Sequence, residues 1–216
     1  MKTSTIILIV IGAFILLLGG CAGCGAISLQ KKAVTMEENI KGMWANVESE
    51  YQRRADLIPN LVNTVKGEAS FERGTLESVI NARARATSIQ VNPENLTPEK
   101  LREFQQAQGE LSQALGRLMV ISEQYPTLHA NEAFRGLQRQ LEGTENRIKV
   151  ARNHFNKATQ EYNSTIRRFP NNFYAGWLGF EPKGYFEADP GSERAPTVNF
   201  DEGAKTPSVG FDSTSR

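Results

Sequence analysis

From Thr35 onward apolar residues return in two interleaved seven-residue series, Ile40, Val47 and Leu61 in one and Trp44, Tyr51, Ile58 and Val65 in the other. Such spacing sets all seven on one stripe of a helix. The helix is predicted to run to about Ala69 and to pass through Pro59, whose ring removes one hydrogen bond and crowds the carbonyl of Ala55. A kink is expected there. A second helix is predicted after Ser70 or Glu72, burying Leu76, Val79, Ile80 and Ala86, before the Pro- and Asn-containing residues 91–97 break the pattern as a loop. Thr97 followed by Pro98 fits an N-cap and a first helical position that needs no N–H. The third helix carries Leu101, Phe104, Leu111, Leu115, Leu118 and Ile121, and stops at Tyr125-Pro126 because the residue before proline is driven out of the α region.

Asn131 is placed to cap the last and longest helix. Within it Phe134, Leu141, Ile148, Phe155, Tyr162 and Phe169 recur at every seventh position, flanked by Leu137, Thr144, Ala151, Ala158 and Thr165. One series is large and the other mostly small, which suits close packing along one side in a left-handed coil. At 1.5 Å per residue this helix is a rod of roughly 55 to 60 Å, and Pro170 ends it. No window alternates with period two for long enough to propose a strand. The predicted fold class is therefore all-α, a bundle of about four long helices over residues 33–187.

The flanks differ in character from this core. After Pro170 an aromatic stretch, Phe173, Tyr174, Trp177, Phe180, Tyr185 and Phe186, is too apolar to leave in water and is expected to fold back over the end of the bundle. Residues 188–216 turn to Gly, Ser, Pro, Thr and acidic residues, a composition expected to stay disordered. At the other end, residues 1–28 form an anchor. From Ile6 to Leu18 every residue is apolar or Gly, which is the length of a secretory h-region. Leu18-Gly19-Gly20-Cys21 resembles the bacterial lipobox, which would make Cys21 a lipidated first residue. The rival reading is a retained transmembrane helix, since no charge appears between Lys2 and Lys31 and Ile6 to roughly Ile27 is long enough to span. Both put the protein on a membrane. Cys21 and Cys24 read as a redox or metal pair find no support, because no second Cys pair accompanies them.

Charge and chemistry then narrow the function. Lys+Arg 25 against Asp+Glu 24 leaves a net charge of +1, so no field attracts nucleic acid. Glu68, Glu72, Glu77, Glu142 and Glu145 lack the Glu-x-x-His pairs of a carboxylate-bridged metal site, and His129 and His154 with Glu123 form no H-E-x-x-H. No metal or other cofactor is expected. Ser112, Ser122 and Ser164 have no Gly-framed elbow or His/Asp pattern. Arg167 and Arg168 are accounted for by the macrodipole at a helix C-terminus. The expectation is a chain without a catalytic site.

Several stretches, in the same order along the chain, resemble the LemA family signature. They are residues 51–62, Tyr-Gln-Arg-Arg-Ala-Asp-Leu-Ile-Pro-Asn-Leu-Val, with Val65-Lys66-Gly67, then Asn81-Ala82-Arg83, residues 111–118, residues 143–152, Tyr162-Asn163, Phe169-Pro170 and Gly179-Phe180. The resemblance covers about residues 35 to 187. It implies an antiparallel helical bundle attached to a bacterial membrane, in a family whose biochemical activity is not established. The lipobox-like cysteine departs from the commonest family pattern in the leader.

Arg54 falls on the apolar series where Ile40 and Val47 call for another core residue. A charge there needs a partner. One reading pairs it with an acid such as Glu145 on the last helix, fixing the register of the bundle. The other is a ligand site at the Pro59 kink, where Arg53, Arg54, Asp56 and Asn60 converge on a freed carbonyl, with Glu145 and Arg147 completing the candidate cluster. The function expected first is a non-enzymatic scaffold or adaptor of the bacterial cell envelope, its bundle on the exported side. Its expected partners are membrane lipid, envelope or membrane proteins, and a second copy of itself, with no nucleic acid. The alternative is a ligand-binding sensor that uses the polar cluster.

Overall fold

The computed structural model describes residues 3–68 and 71–188. They form six helices and, among the described residues, no strand: α1 (Thr3–Lys66), α2 (Arg73–Ser88), α3 (Pro98–Ser122), α4 (Pro126–Ala130), α5 (Glu132–Arg167) and α6 (Asn171–Leu178). The tail expected to be disordered lies, beyond Ala188, outside the described residues. So does the side chain of Cys21, although its backbone belongs to α1.

The first helix departs most from expectation. It does not begin near Thr35 but spans 64 residues from Thr3, joining the apolar leader to the packed core without a break. Nothing between them stops a helix: there is no proline before Pro59, and isolated glycines such as Gly23 and Gly25 weaken a helix by about 1 kcal/mol each without ending it. The stripe is correspondingly longer, because Ala33 adds one more step to the series of Ile40, Val47 and Leu61 and is fully buried with Leu29. Among the described residues no helix is long and apolar enough to cross a membrane.

Local chemistry accounts for the other boundaries. Thr97 caps α3, its side chain accepting from the Lys100 amide, and Asn131 caps α5 by accepting from the Ala133 and Phe134 amides. The third helix ends at Ser122, short of Tyr125, and Pro126 starts the brief α4 that the sequence pattern did not reveal. Two expected core residues are misplaced. Ile80 is 43% exposed, because α2 makes its contact through Thr75, Leu76, Val79, Ala82 and Ala86, and Ile80 lies off that face. Phe169 is 83% exposed, because α5 has already ended at Arg167.

Helices α1 and α5 run antiparallel along each other. The pairs Glu37 with Tyr162, Glu50 with Arg147 and Arg54 with Glu145 descend on α5 as they climb on α1. Helix α2 likewise lies antiparallel on α3, through Arg85 with Glu110 and the Ala86 carbonyl with Gln108. The apolar interior falls into two clusters. One surrounds Trp44, Phe104, Phe155 and Tyr162; the other surrounds Ile58, Leu61, Leu118 and Phe134.

Beyond α6 the chain turns at Gly179, whose φ of 78° is the left-handed conformation that favours glycine at a helix end. It then returns along α5 in extended form, held by two asparagines. Asn163 exchanges two hydrogen bonds with the backbone of Lys183, both 2.9 Å, and Asn156 does the same with Phe186. Seven helical residues rise about 10.5 Å and three extended residues about 10 Å, so the two spacings match. Phe186 thereby reaches Trp44 in a stacked arrangement, centroids 6.0 Å apart.

Candidate functional site

A polar layer separates the two apolar clusters. Arg54 occupies the stripe of α1 between Tyr51 and Ile58 and is 1% exposed. Its Nη1 donates to Ser112 Oγ at 2.6 Å and to the Glu145 carboxylate. Its Nη2 donates to the Gln108 side-chain oxygen at 2.6 Å and to the Gln108 carbonyl at 3.2 Å. The Gln108 amide in turn donates to the Ala86 carbonyl at 3.1 Å. One guanidinium on α1 is thus joined to α3 and α5 directly and to α2 through Gln108. The Tyr51 ring lies 5.1 Å from the guanidinium carbon, a cation–π contact that adds to its accommodation.

This arrangement favours a flat, five-donor cation over an ammonium, since it uses two separate nitrogens toward four acceptors on three residues. Only Nε lacks a hydrogen-bond partner among the described residues. The layer is not sealed: Glu145 keeps 37% side-chain exposure. Water therefore reaches the anionic end of the pair while the cationic end stays buried.

The other residues of the candidate cluster do not join Arg54. Arg53, Asp56 and Asn60 lie on the exposed face of α1. Asp56 accepts from Gln52 at 2.8 Å, and the Asn60 carbonyl accepts from the Thr64 hydroxyl. Arg147 turns outward to Glu50, Nε to Oε2 at 2.9 Å, with a second hydrogen bond to Thr144. The expected convergence at Pro59 fails because successive residues of a helix point about 100° apart, so Arg53 and Arg54 cannot share a face. The freed Ala55 carbonyl is taken instead by Arg83 of α2, whose Nε donates to it at 2.8 Å.

Gln108 was missed as a partner, although the signal existed. It sits seven residues after Leu101 and seven before Leu115, a polar residue on an apolar stripe like Arg54 itself. Ser112 and Arg83 carry no comparable signal. Two open grooves flank the layer. One of about 770 Å³ runs past Tyr51, Ala55, Phe104, Gln108 and Pro93; another of about 420 Å³ lies between α1 and α5 beside Met43, Glu50, Arg147 and His154. Among the described residues no three His, Cys, Asp or Glu side chains are grouped to hold a metal ion.

The family model for the LemA family matches residues 43–200, most of the chain and all of this polar layer. This chain belongs to the LemA family. Among curated relatives, the magnetosome proteins MamQ 1 and MamQ 2 of Paramagnetospirillum magneticum are each 28% identical to it over 177 residues, as is magnetosome protein MamQ of Magnetospirillum gryphiswaldense. The matched region is 74% of this LemA-family chain and 65% of each relative, so the chain spans somewhat under two thirds of their length.

Proposed function

We propose that this LemA-family chain is a non-enzymatic helical scaffold, tethered to a bacterial membrane on the exported side, that positions other membrane or envelope proteins. The observation that carries the reading is the unbroken α1. The same helix holds the apolar leader and the buried stripe, and the leader's Ile11, Phe14, Leu16 and Leu17 are all exposed. A helix apolar on every side suits lipid rather than water. The tether is a lipid on Cys21 or a span over about residues 6–28, and both leave the core directly at the membrane surface. The magnetosome names of the MamQ relatives supply a context in which a membrane-bound protein fits. Helices α3 and α5 cross-linked through Arg54 supply the rigidity a scaffold needs.

Intact mass of the membrane-extracted protein beside Cys21→Ser tests the tether. A chain starting at Cys21 with a lipid adduct, lost in the variant, assigns a lipoprotein; an uncleaved chain in the membrane fraction of both assigns a span. Recovery of an unlipidated protein in the aqueous fraction sinks the reading. Stoichiometric zinc or iron in the purified protein would overturn its non-enzymatic part.

A sensor is the second reading, favoured by the open groove that touches both Tyr51 and Gln108, the neighbours of Arg54. It predicts a small molecule that raises the melting temperature of the wild type but not of Ala45→Trp, which fills that groove.

A further inference from the structure

Helix α6 and the residues just ahead of it carry the most exposed aromatic side chains among the described residues. Phe173 and Trp177, one helical turn apart and therefore on one face, are 77% and 79% exposed, and Phe169 just ahead of them is 83% exposed. Burial is not withheld from the helix as a whole: Ala175 is buried and Tyr174 and Phe180 pack on the core. The element is firmly seated and turns its bulkiest rings outward. A face of this kind on a small protein marks a surface that something covers.

The position of the face says what covers it. Helix α6 packs on both α1 and α5, and its Tyr174 hydroxyl lies 3.3 Å from where a side chain at Gly25 would begin. Gly25 follows the end of the leader's apolar run at Leu18 by seven residues, about 10 Å along the helix. It precedes the first charges after Lys2, namely Lys31 and Lys32, by less than two turns. Helix α6 is therefore docked where a helix leaving a bilayer passes from acyl chains to headgroups. Tryptophan and its aromatic neighbours concentrate at that depth, because one side of the layer is apolar and the other wet. Arg167 and Arg168, both exposed and adjacent to Phe169, and the exposed Lys31 and Lys32 supply positive charge at the same end. The nearby Glu37 is engaged by Lys183 at 3.1 Å and by the Tyr162 hydroxyl, which offsets it.

We infer that Phe169, Phe173 and Trp177 insert into the headgroup–acyl boundary of the membrane, with Arg167, Arg168, Lys31 and Lys32 against anionic headgroups. The occupant is the lipid surface itself. Two contacts, the anchor and the α6 face, then fix the angle at which the helices stand on the membrane, which one point of attachment does not do. This inference rests on the membrane-tethered reading above.

The test uses the full chain reconstituted into liposomes of phosphatidylcholine and phosphatidylglycerol carrying bromine either high or deep on the acyl chain. Trp44, the other tryptophan, is buried, and the Trp177→Phe variant supplies its emission as background. Flotation is read first. Protein that floats, with Trp177 emission lost to shallow bromine and largely kept with deep bromine, supports the insertion. Protein that floats with Trp177 unquenched by either lipid overturns it while leaving the tether intact. If that unquenched emission is also shielded from acrylamide, the face belongs to a protein partner or a second copy, which overturns it too. Protein that does not float overturns the tether and this inference together.

Discussion

Arg83 donates from Nε to the carbonyl of Ala55 at 2.8 Å, the acceptor that Pro59 leaves unused because it has no N–H to offer four residues later. The defect that proline introduces into α1 is therefore filled from α2, and the two helices are joined at that point. Removing the arginine leaves a part-buried carbonyl unsatisfied, a cost of about 1 to 3 kcal/mol. Arg83→Ala is expected to destabilise the wild type by that amount but to cost much less in a Pro59→Ala background, where the helix supplies its own donor. A double-mutant cycle by denaturant unfolding checks this. Equal costs in both backgrounds would show that Arg83 acts by some other contact.

Arg54 gives a larger effect. Arg54 is 1% exposed, so truncating it empties a large buried site, a change that costs about 2 to 5 kcal/mol. Arg54→Ala also takes the donor from the Gln108 side-chain oxygen, while water at the 37% exposed Glu145 offsets the loss of its partner, and a cost in the middle to upper part of that range is expected. Glu145→Gln leaves Arg54 with Ser112 and Gln108 and keeps an acceptor in place, so its cost is expected below about 2 kcal/mol. Arg54→Lys is expected to recover less than half of the loss, since one ammonium does not span the Ser112 and Gln108 acceptors as two guanidinium nitrogens do. Melting temperatures of the three variants order them, and a Lys variant as stable as wild type would contradict the geometric argument.

The contrast between Arg54 and Arg83 marks how far sequence reasoning reached. Arg54 interrupts the series Ala33, Ile40, Val47, Leu61, so its burial and its need for a partner follow from spacing alone, and Glu145 was a reachable guess from α5. The helical class, the caps at Thr97 and Asn131, and the large-and-small pairing of α5 follow from equally local rules. Arg83 sits on no stripe and its target is a backbone oxygen 28 residues away, so only the docked helices reveal its role. The expected gathering of Arg53, Asp56 and Asn60 failed for a related reason. Nearness in sequence is not nearness in space on a helix, which sends neighbouring side chains in different directions. Hydrophobicity alone puts Phe169 and Ile80 in the core, but a helix end at Arg167 and a contact face on α2 that runs through Leu76, Val79 and Ala82 leave them outside.

Gly184 and Gly116 should respond in opposite directions to the same substitution. A Cβ on Gly184 would lie 2.9 Å from the Pro98 Cα and 3.0 Å from its nitrogen, both backbone atoms at the capped start of α3. The Gly184 amide also donates to the Leu96 carbonyl at 3.0 Å, so the segment has little freedom to withdraw. Gly184→Ala is expected to cost about 1 to 3 kcal/mol. Gly116 lies inside α3 with nothing within 4 Å of the added carbon, and Gly116→Ala is expected to stabilise by about 0.5 to 1 kcal/mol through helix propensity. Thermal unfolding of the two variants beside wild type decides it; a neutral Gly184→Ala would mean that the extended segment is not held against α3 in solution.

Tyr162 ties stability to alkaline pH. Its hydroxyl lies 3.1 Å from Glu37 Oε1 and 3.1 Å from the Glu181 carbonyl. Burial first, and then the neighbouring Glu37 charge, raise its pKa well above the ordinary value of 10.0. The folded state thus holds this proton more tightly than the unfolded chain does. Its contribution is fully present below the unfolded value and is lost as pH rises through the higher folded one. Tyr162→Phe forfeits a hydrogen bond worth about 1 kcal/mol at neutral pH but removes a group that ionises on unfolding. The stability gap between wild type and Tyr162→Phe, measured by denaturant unfolding, is expected to be constant up to about pH 9 and to narrow above about pH 10. A gap that stays constant to about pH 11 would mean that Tyr162 ionises as readily folded as unfolded, and that the Glu37 contact does not hold its proton.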